Sequence, residues 1–279
     1  MTITIIGTGL IGGSMALALR DLGIASHIIG VDHTPAHCEK ALALGIVDET
    51  AGWEAAVDRS SLVILATPIN AAEALLPMIL DRVDRQVVLD VGSTKKVICD
   101  AVADHPRRSR FVATHPMWGT EYSGPEAAVR GAFVNKATVI CSRNDSDADA
   151  VEMVESIYRQ LGMHLVYMDA TEHDLHVAYV SHISHITSFA LANTVLEKER
   201  EEDAIFELAS GGFESTVRLA KSNPAMWVPI FMQNRENILD VLNEHIAQLR
   251  KFKACLEKEN EAYLQELIEK ANGIRRILK

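Results

Sequence analysis

Along the first 168 residues, short apolar and β-branched runs alternate with stretches of helical periodicity. The runs are TITIIG, HIIGVD, SLVILATP, QVVLDVGS, RFVATHP, ATVICS and MHLVYMD. Each has strand length and is bounded by residues that favour turns. LIGGSMALALRDLG follows the first run, and DADAVEMVESIYRQLG follows the sixth. The latter places Val151, Val154, Ile157, Tyr158 and Leu161 on one helical face. Strands that each precede or follow a helix predict an α/β fold with a mainly parallel, doubly wound sheet.

The pattern changes after Asp169. ATEHDLHVAYVSHISHITSFALANTVLEKEREED contains neither Gly nor Pro. It predicts one helix of about 30 residues, roughly 45 Å long. Further helices are predicted at 215–221, 224–255 and 257–278, with Pro229 kinking one of them or delaying its start. The expected organisation is a sheet domain over 1–168 and an all-helical domain over 169–279. Helices this long rarely cover their apolar faces alone, so a homodimer through the C-terminal helices is expected.

Composition narrows the class. The 279 residues are 48% hydrophobic and 23% charged, as in an ordinary globular protein. A net charge of −11 gives no support to nucleic-acid binding, and an acidic ligand would need a local cationic pocket. No uninterrupted apolar run of about 18 residues is present, so no membrane span is expected. The glycines and early strand at the N-terminus argue against a signal peptide. Cys38, Cys99, Cys141 and Cys255 are scattered, which suits reduced thiols in a cytoplasmic protein.

The stretch ITIIGTGLIGGS carries Gly7, Gly9 and Gly12 in GxGxxG spacing, after a strand and opening a helix. Such a Rossmann-type turn lets backbone approach a pyrophosphate, which the helix N-terminus at Leu10, Ile11 and Gly12 then binds. Asp32 closes the second strand 20 residues after Gly12, where a carboxylate takes the ribose hydroxyls of NAD. No Arg or Lys follows before Lys40, so NAD is expected over NADP. Thr67 and Pro68, at the end of SLVILATP, are further cofactor-binding candidates. His115 ends the strand RFVAT, on the sheet edge where open α/β folds bind ligands.

Five motifs together, GTGLIGGS, DVGSTK, THPMWGTEYSG, HDLHVAYVSHISH and GGFESTVRLAKSNPAMW, identify a resemblance. Over essentially its whole length the chain resembles the prephenate and arogenate dehydrogenases of tyrosine biosynthesis. The resemblance implies NAD-dependent oxidative decarboxylation of a cyclohexadienyl substrate, giving 4-hydroxyphenylpyruvate from prephenate. It implies that His115 bonds the substrate hydroxyl, with Ser93 beside it. It also implies that Ser181 and His185 face the substrate, Thr120 and Glu121 lie near it, Arg218 binds a substrate carboxylate and Trp227 lines the site. Loss of hydride acidifies a carbinol hydroxyl, and histidine is the usual acceptor for its proton. An apparent pKa of about 6–7 is therefore expected for the rate. A planar guanidinium is well matched to one carboxylate of a dianion.

Other readings remain. Arogenate carries an amino group where prephenate has a keto group, and a basic His185 would favour the keto acid. The lysine-dependent β-hydroxyacid and imine dehydrogenases are disfavoured, because no lysine occurs between Lys136 and Lys198. An NAD-binding sensor without catalysis would not need Ser93, His115 and Arg218 together. His173, His176, His182 and His185 invite a metal, but on one straight helix the two pairs face apart, so none is expected. His182 reads as a packed or interfacial residue, with His173 and His176 the weakest candidates. The family commonly has Arg-Asp after the Met-Trp pair, where Val228 and Pro229 stand here. No appended regulatory domain is expected.

Overall fold

A computed structural model describes residues 1–199 and 207–277, the side chain of Glu199 excepted. The strands are β1 (Thr2–Ile6), β2 (His27–Val31), β3 (Glu49–Thr50), β4 (Leu62–Leu65), β5 (Val87–Asp90), β6 (Phe111–Pro116), β7 (Ala137–Cys141) and β8 (His164–Met168). Between them lie α1 (Leu10–Asp21), α2 (Pro35–Ala43), α3 (Trp53–Asp58), α4 (Ile69–Arg82), α5 (Lys96–Asp100) and α6 (Ala148–Gln160). The short β3 adds a strand to the seven expected. Among the described residues the strands form one sheet in the order β3-β2-β1-β4-β5-β6-β7-β8.

Alternate residues of β1, β4 and β5 enter opposite layers, which explains why these runs are apolar nearly throughout. Ile3, Ile5, Ile64 and Leu89 pack under α1 and α6 with Met15, Leu19, Val154 and Tyr158. Ile6, Val63, Leu65 and Val88 pack on the other side with Leu76, Ile79 and Leu80 of α4. The strand order reverses between β1 and β4, which opens a crevice at their carboxyl ends.

One strand pair departs from the parallel pattern. β6 and β7 are antiparallel and are joined by the loop 117–136, with only a short 3₁₀ turn at Pro125–Ala127. The glycines and proline of GTEYSGPEAAVRG interrupt any helical register there. The loop crosses α1: the Val129 N–H donates to Ser14 Oγ at 2.9 Å.

The helices that follow are α7 (Ala170–Val177), α8 (Ile183–Glu199), α9 (Gly211–Val217), α10 (Pro224–Gln233), α11 (Arg235–Glu257) and α12 (Glu261–Ala271). The expected helix after Asp169 is continuous through its described part but not straight, because Ala178–His182 forms a π turn. Its expected last residues, 200–203, lie outside the described residues. Pro229 neither delays nor ends a helix; it sits inside α10, which starts with Pro224 at its N-terminus. The predicted helix 224–255 instead breaks at Asn234. By contacts the chain divides into two units, Met1–Asn234 and Arg235–Lys279. Among the described residues no helix is long and apolar enough to cross a membrane, and all four cysteines are free thiols.

Gly7 adopts φ +98°, and a Cβ there would lie 2.5 Å from the Ala66 carbonyl oxygen. A Cβ on Gly12 would lie 2.0 Å from the Gly7 carbonyl oxygen, so α1 starts directly against the turn that precedes it. Gly12→Ala is expected to destabilise the fold by about 1–3 kcal/mol or more and to weaken NAD binding. Urea denaturation and cofactor titration check this; a variant matching the parent in both would show that the turn has slack.

Candidate functional site

The carboxyl edge of the sheet gathers most of the candidate residues. Gly9 caps α1 with no side-chain hydrogen bond among the described residues, which leaves the first amides of α1 without a side-chain cap. A phosphate is the natural ligand for such a helix end. Thr67 Oγ1, just after β4, is buried with no hydrogen-bond partner among the described residues; Pro68 is exposed and caps α4. Asp32 ends β2, accepting from Thr8 N at 3.1 Å, Thr8 Oγ1 at 3.2 Å and Thr34 N at 3.0 Å. These residues are chemically suited to a dinucleotide: uncapped amides and an orphaned hydroxyl could hold phosphate, and a fixed carboxylate a ribose.

Two neighbours of Asp32 escaped the sequence reading. His33 Nδ1 and His37 Nδ1 lie 3.4 and 3.3 Å from Asp32 Oδ1. Lys40, the first lysine after Asp32, is paired with Glu126 at 3.2 Å. A search for Arg and Lys alone passes over imidazoles one and five residues downstream.

His115 is 8% exposed at the end of β6. Its backbone is held through Thr114, whose N–H donates to Asp90 Oδ1 at 3.1 Å. The Thr114 carbonyl accepts from Lys95 Nζ at 2.8 Å, and Lys95 also bonds Asp90. Ser93 lies half-buried in the loop between Asp90 and Lys95. The His115 ring meets a residue ranked among the weakest by sequence: Nδ1 lies 2.9 Å from His173 Nε2. His173 Nδ1 lies 2.7 Å from Asp174 Oδ1, and Asp174 accepts from the amides of Lys95 and Lys96 at 2.7 and 2.9 Å.

The π turn lies beyond His173 and bears on the histidines that follow it. One extra residue in a turn rotates everything beyond it by about 100° relative to a straight α-helix. His173 and His182, opposed on a straight helix, are both buried, at 0% and 1%. Asn234 bridges their neighbourhood, donating to the Asp174 carbonyl at 2.7 Å and lying 3.1 Å from His182 Nδ1. His176 is exposed. Among the described residues no group of three or more His, Cys, Asp or Glu is placed to hold a metal.

The remaining candidates form an adjoining wall. His182 packs edge-on against Trp227, with ring centroids 6.0 Å apart, and Trp227 stacks on His185 at 3.4 Å. His185 Nδ1 lies 3.2 Å from the Ser181 carbonyl oxygen, so these two share a face. Arg218 follows α9 and pairs with Glu121 of the β6–β7 loop, Nη1 to Oε2 at 2.9 Å. Glu121 is therefore no free surface carboxylate: its side chain is 14% exposed, against 50% for Arg218. Thr120, half-buried beside it, accepts from the Tyr122 N–H at 3.3 Å. Val228 is 57% exposed on α10.

Burial keeps this histidine cluster neutral. His115 is held well below the ordinary imidazole range, first by desolvation and then by His173, Lys95 and His182. In the resting protein His115 therefore lies below the ordinary value on which the expected rate dependence was based. Burial also lowers His173, against the opposing pull of Asp174, and brings His182 down to about 4. His185 is lowered by burial and further by the charge of Arg218. A neutral His185 cannot supply the positive charge once expected to favour a keto acid.

Comparison with known proteins places this geometry. Family models for the nucleotide-binding domain and the dimerization domain of prephenate dehydrogenase match residues 15–167 and 169–270. The chain belongs to the prephenate dehydrogenase family. It is 33% identical to the prephenate dehydrogenase of Bacillus subtilis (strain 168), over 98% of this chain and 75% of that one. The crystal structure of Aquifex aeolicus prephenate dehydrogenase with hydroxyphenyl propionate and NAD+ superposes with a TM-score of 0.91 at 30% identity. That match covers 100% of this chain and 98% of the other. Synechocystis arogenate dehydrogenase matches with a TM-score of 0.79 at 28% identity, covering both chains fully.

The neutral histidines make stability depend on pH. In the unfolded chain they protonate near pH 6.5, whereas in the fold they stay neutral to lower pH. The unfolded state therefore binds more protons as pH falls from about 6.5 toward 4, and the fold loses stability through that window. For His182 alone the shift from 6.5 to about 4 corresponds to about 3 kcal/mol at most. Urea midpoints should drop clearly between pH 7.5 and pH 5; equal midpoints would mean that these imidazoles titrate normally.

Proposed function

We propose that the chain catalyses the NAD-dependent oxidative decarboxylation of prephenate to 4-hydroxyphenylpyruvate. The observation that carries this is the buried, neutral His115 on the nucleotide-binding edge, adjoined by a wall that ends in Arg218. Bound NAD would supply the hydride acceptor. His115 takes the proton of the substrate hydroxyl as hydride leaves its carbon, and Ser93 lies on the neighbouring loop. When the ring carboxylate departs as carbon dioxide, the ring oxygen receives an electron pair and His115 returns the proton to it. The phenol thus forms with no net proton released, so a buried base needs no exit route to water. Arg218 offers its guanidinium to a substrate carboxylate, which has to displace or share Glu121. Ser181, His185, Thr120 and Trp227 line the space between.

Arogenate dehydrogenation is the second reading, favoured by the full-length match to the Synechocystis enzyme and by a His185 that carries no charge. We assign nucleotide binding to residues 1–168, and substrate contacts and homodimer formation to 169–279. The family model's description of the second half as a dimerization domain supports the latter. So do exposed Leu239, Leu249, Leu256 and Ile268. The thiol content suits a cytoplasmic protein.

Purified protein with NAD and prephenate should reduce the cofactor, and arogenate should serve as the comparison. NADP should be used about a hundredfold less well, because Asp32 opposes a 2′-phosphate. His115→Asn should lower kcat about 10²- to 10⁴-fold with NAD binding intact. In the parent, kcat/KM should rise with pH through a limb below the ordinary histidine range. Near-parent turnover in the variant would assign the base elsewhere.

Arg218→Ala should lower kcat/KM for prephenate about 10- to 100-fold. The side chain is half-exposed, so the loss should fall short of that for a fully buried pair. Arg218→Lys should lie between, keeping the charge but losing the fork. An unchanged KM for prephenate in the alanine variant would remove Arg218 from the substrate site.

A further inference from the structure

The bonds that lead inward from His115 end on a group that can only accept. Asp174 is 2% exposed. Its Oδ1 receives the Lys95 amide at 2.7 Å and its Oδ2 the Lys96 amide at 2.9 Å. With a backbone donor on each oxygen, it meets the imidazole of His173 as an acceptor. His173 must therefore carry its hydrogen on Nδ1. A neutral imidazole has one N–H, so its Nε2 is a lone pair, and this faces His115 Nδ1 at 2.9 Å. The hydrogen of His115 then sits on Nδ1, and Nε2 is bare.

We propose that Asp174 and His173 are positioning residues that lock His115 in the Nδ1–H tautomer, leaving Nε2 as the lone pair that receives the substrate proton. The inference rests on the dehydrogenase reading for the identity of that proton, but the tautomer is a property of the resting protein. Free histidine in water favours the opposite tautomer, so without the lock Nε2 would carry a hydrogen and could not act as a base. The same relay serves the protonated state. Once Nε2 takes the proton, Nδ1–H still donates to His173, and the Asp174 carboxylate stabilises the imidazolium from two bonds away. The Asp of a catalytic triad acts on its histidine similarly, with one ring fewer between.

The neighbouring charges make the lock one-sided. A doubly protonated His173 would turn its Nε2–H toward His115 and reverse the pattern. Desolvation and the Lys95 ammonium both work against that state, while Asp174 and Asp90 favour it. His182, which also acts on His115, is itself held neutral by burial.

Long-range nitrogen–proton NMR on histidine-labelled protein tests the proposal, with His115 assigned by its absence from the His115→Gln spectrum. Near pH 8 without ligand, His115 should show a protonated Nδ1 and a bare Nε2; a protonated Nε2 would overturn the inference. Asp174→Ala should move His115 to the Nε2–H form and lower kcat about 10²- to 10⁴-fold. KM for NAD should stay within about threefold. If that variant does not fold, the parent spectrum still decides. His173→Gln, whose amide oxygen can accept from His115 Nδ1, should keep the tautomer and retain at least about tenfold more activity than His173→Leu. Equal kcat in these two variants would reduce His173 to packing. A parent protein that reduces NAD with neither prephenate nor arogenate would refute the proposed reaction, while the resting spectrum would still decide the tautomer.

Discussion

A lysine and an aspartate sealed from water at the end of β5 set the terms for the whole site. Lys95 is 0% and Asp90 1% exposed, and removing two such ions from water costs several kcal/mol each before they attract one another. An apolar pair of similar volume would often be as stable, so stability alone gives little reason to retain them. Position gives a better one. Asp90 and Lys95 grip both backbone groups of Thr114, which fixes the residue that follows it, His115. The Lys95 amide meanwhile donates to Asp174. One buried pair thereby ties β5, β6 and α7 together at the point where their chemistry converges.

The pair also contributes to the electrostatics. Burial does most to keep the imidazoles neutral, and an ammonium close to His115 and His173 makes a further positive charge there more expensive still. The histidines consequently stay neutral without needing a neutral neighbourhood. Asp90 offsets Lys95 closely enough for the fold to tolerate both. In the proposed reaction the carboxylate of Asp174, beyond His173, would steady a transient imidazolium without becoming the proton's destination. Rigid backbone at the sheet edge carries His115, and the more exposed Arg218–Glu121 contact lies at the far side of the wall.

Much of this was legible in the sequence wherever the determinant was local. The glycine turn, Asp32 and the alternation of strands and helices depend on neighbouring residues, and they could be read directly. The position of His115 on the carboxyl edge of the sheet could be read from its strand, whereas its role and those of Arg218 and Trp227 were what the family resemblance implied. What escaped depended on geometry that no periodic pattern records. His173 looked weak because a straight helix turns it away from His182, and nothing in AYVSH announces a π turn. The antiparallel β7 was hidden because the alternation of runs gives no direction, and only the glycine-rich loop before it hints at a missing helix. His33 and His37 carry no permanent charge, so the pattern of Arg and Lys around Asp32 gives no sign of them.

The π turn at Ala178–His182 also makes the chain's length at this point a chemical variable. Removing one residue from that turn would let the helix run straight while keeping every histidine. Yet the half beyond it would be turned by about a quarter of a circle. His182, Ser181 and His185 would then address different partners from the same sequence letters. A point substitution in this segment trades one side chain for another, whereas a single deletion re-aims an entire face. Insertions and deletions here should therefore be far rarer among functional descendants of this chain than its apolar, unbroken sequence would suggest.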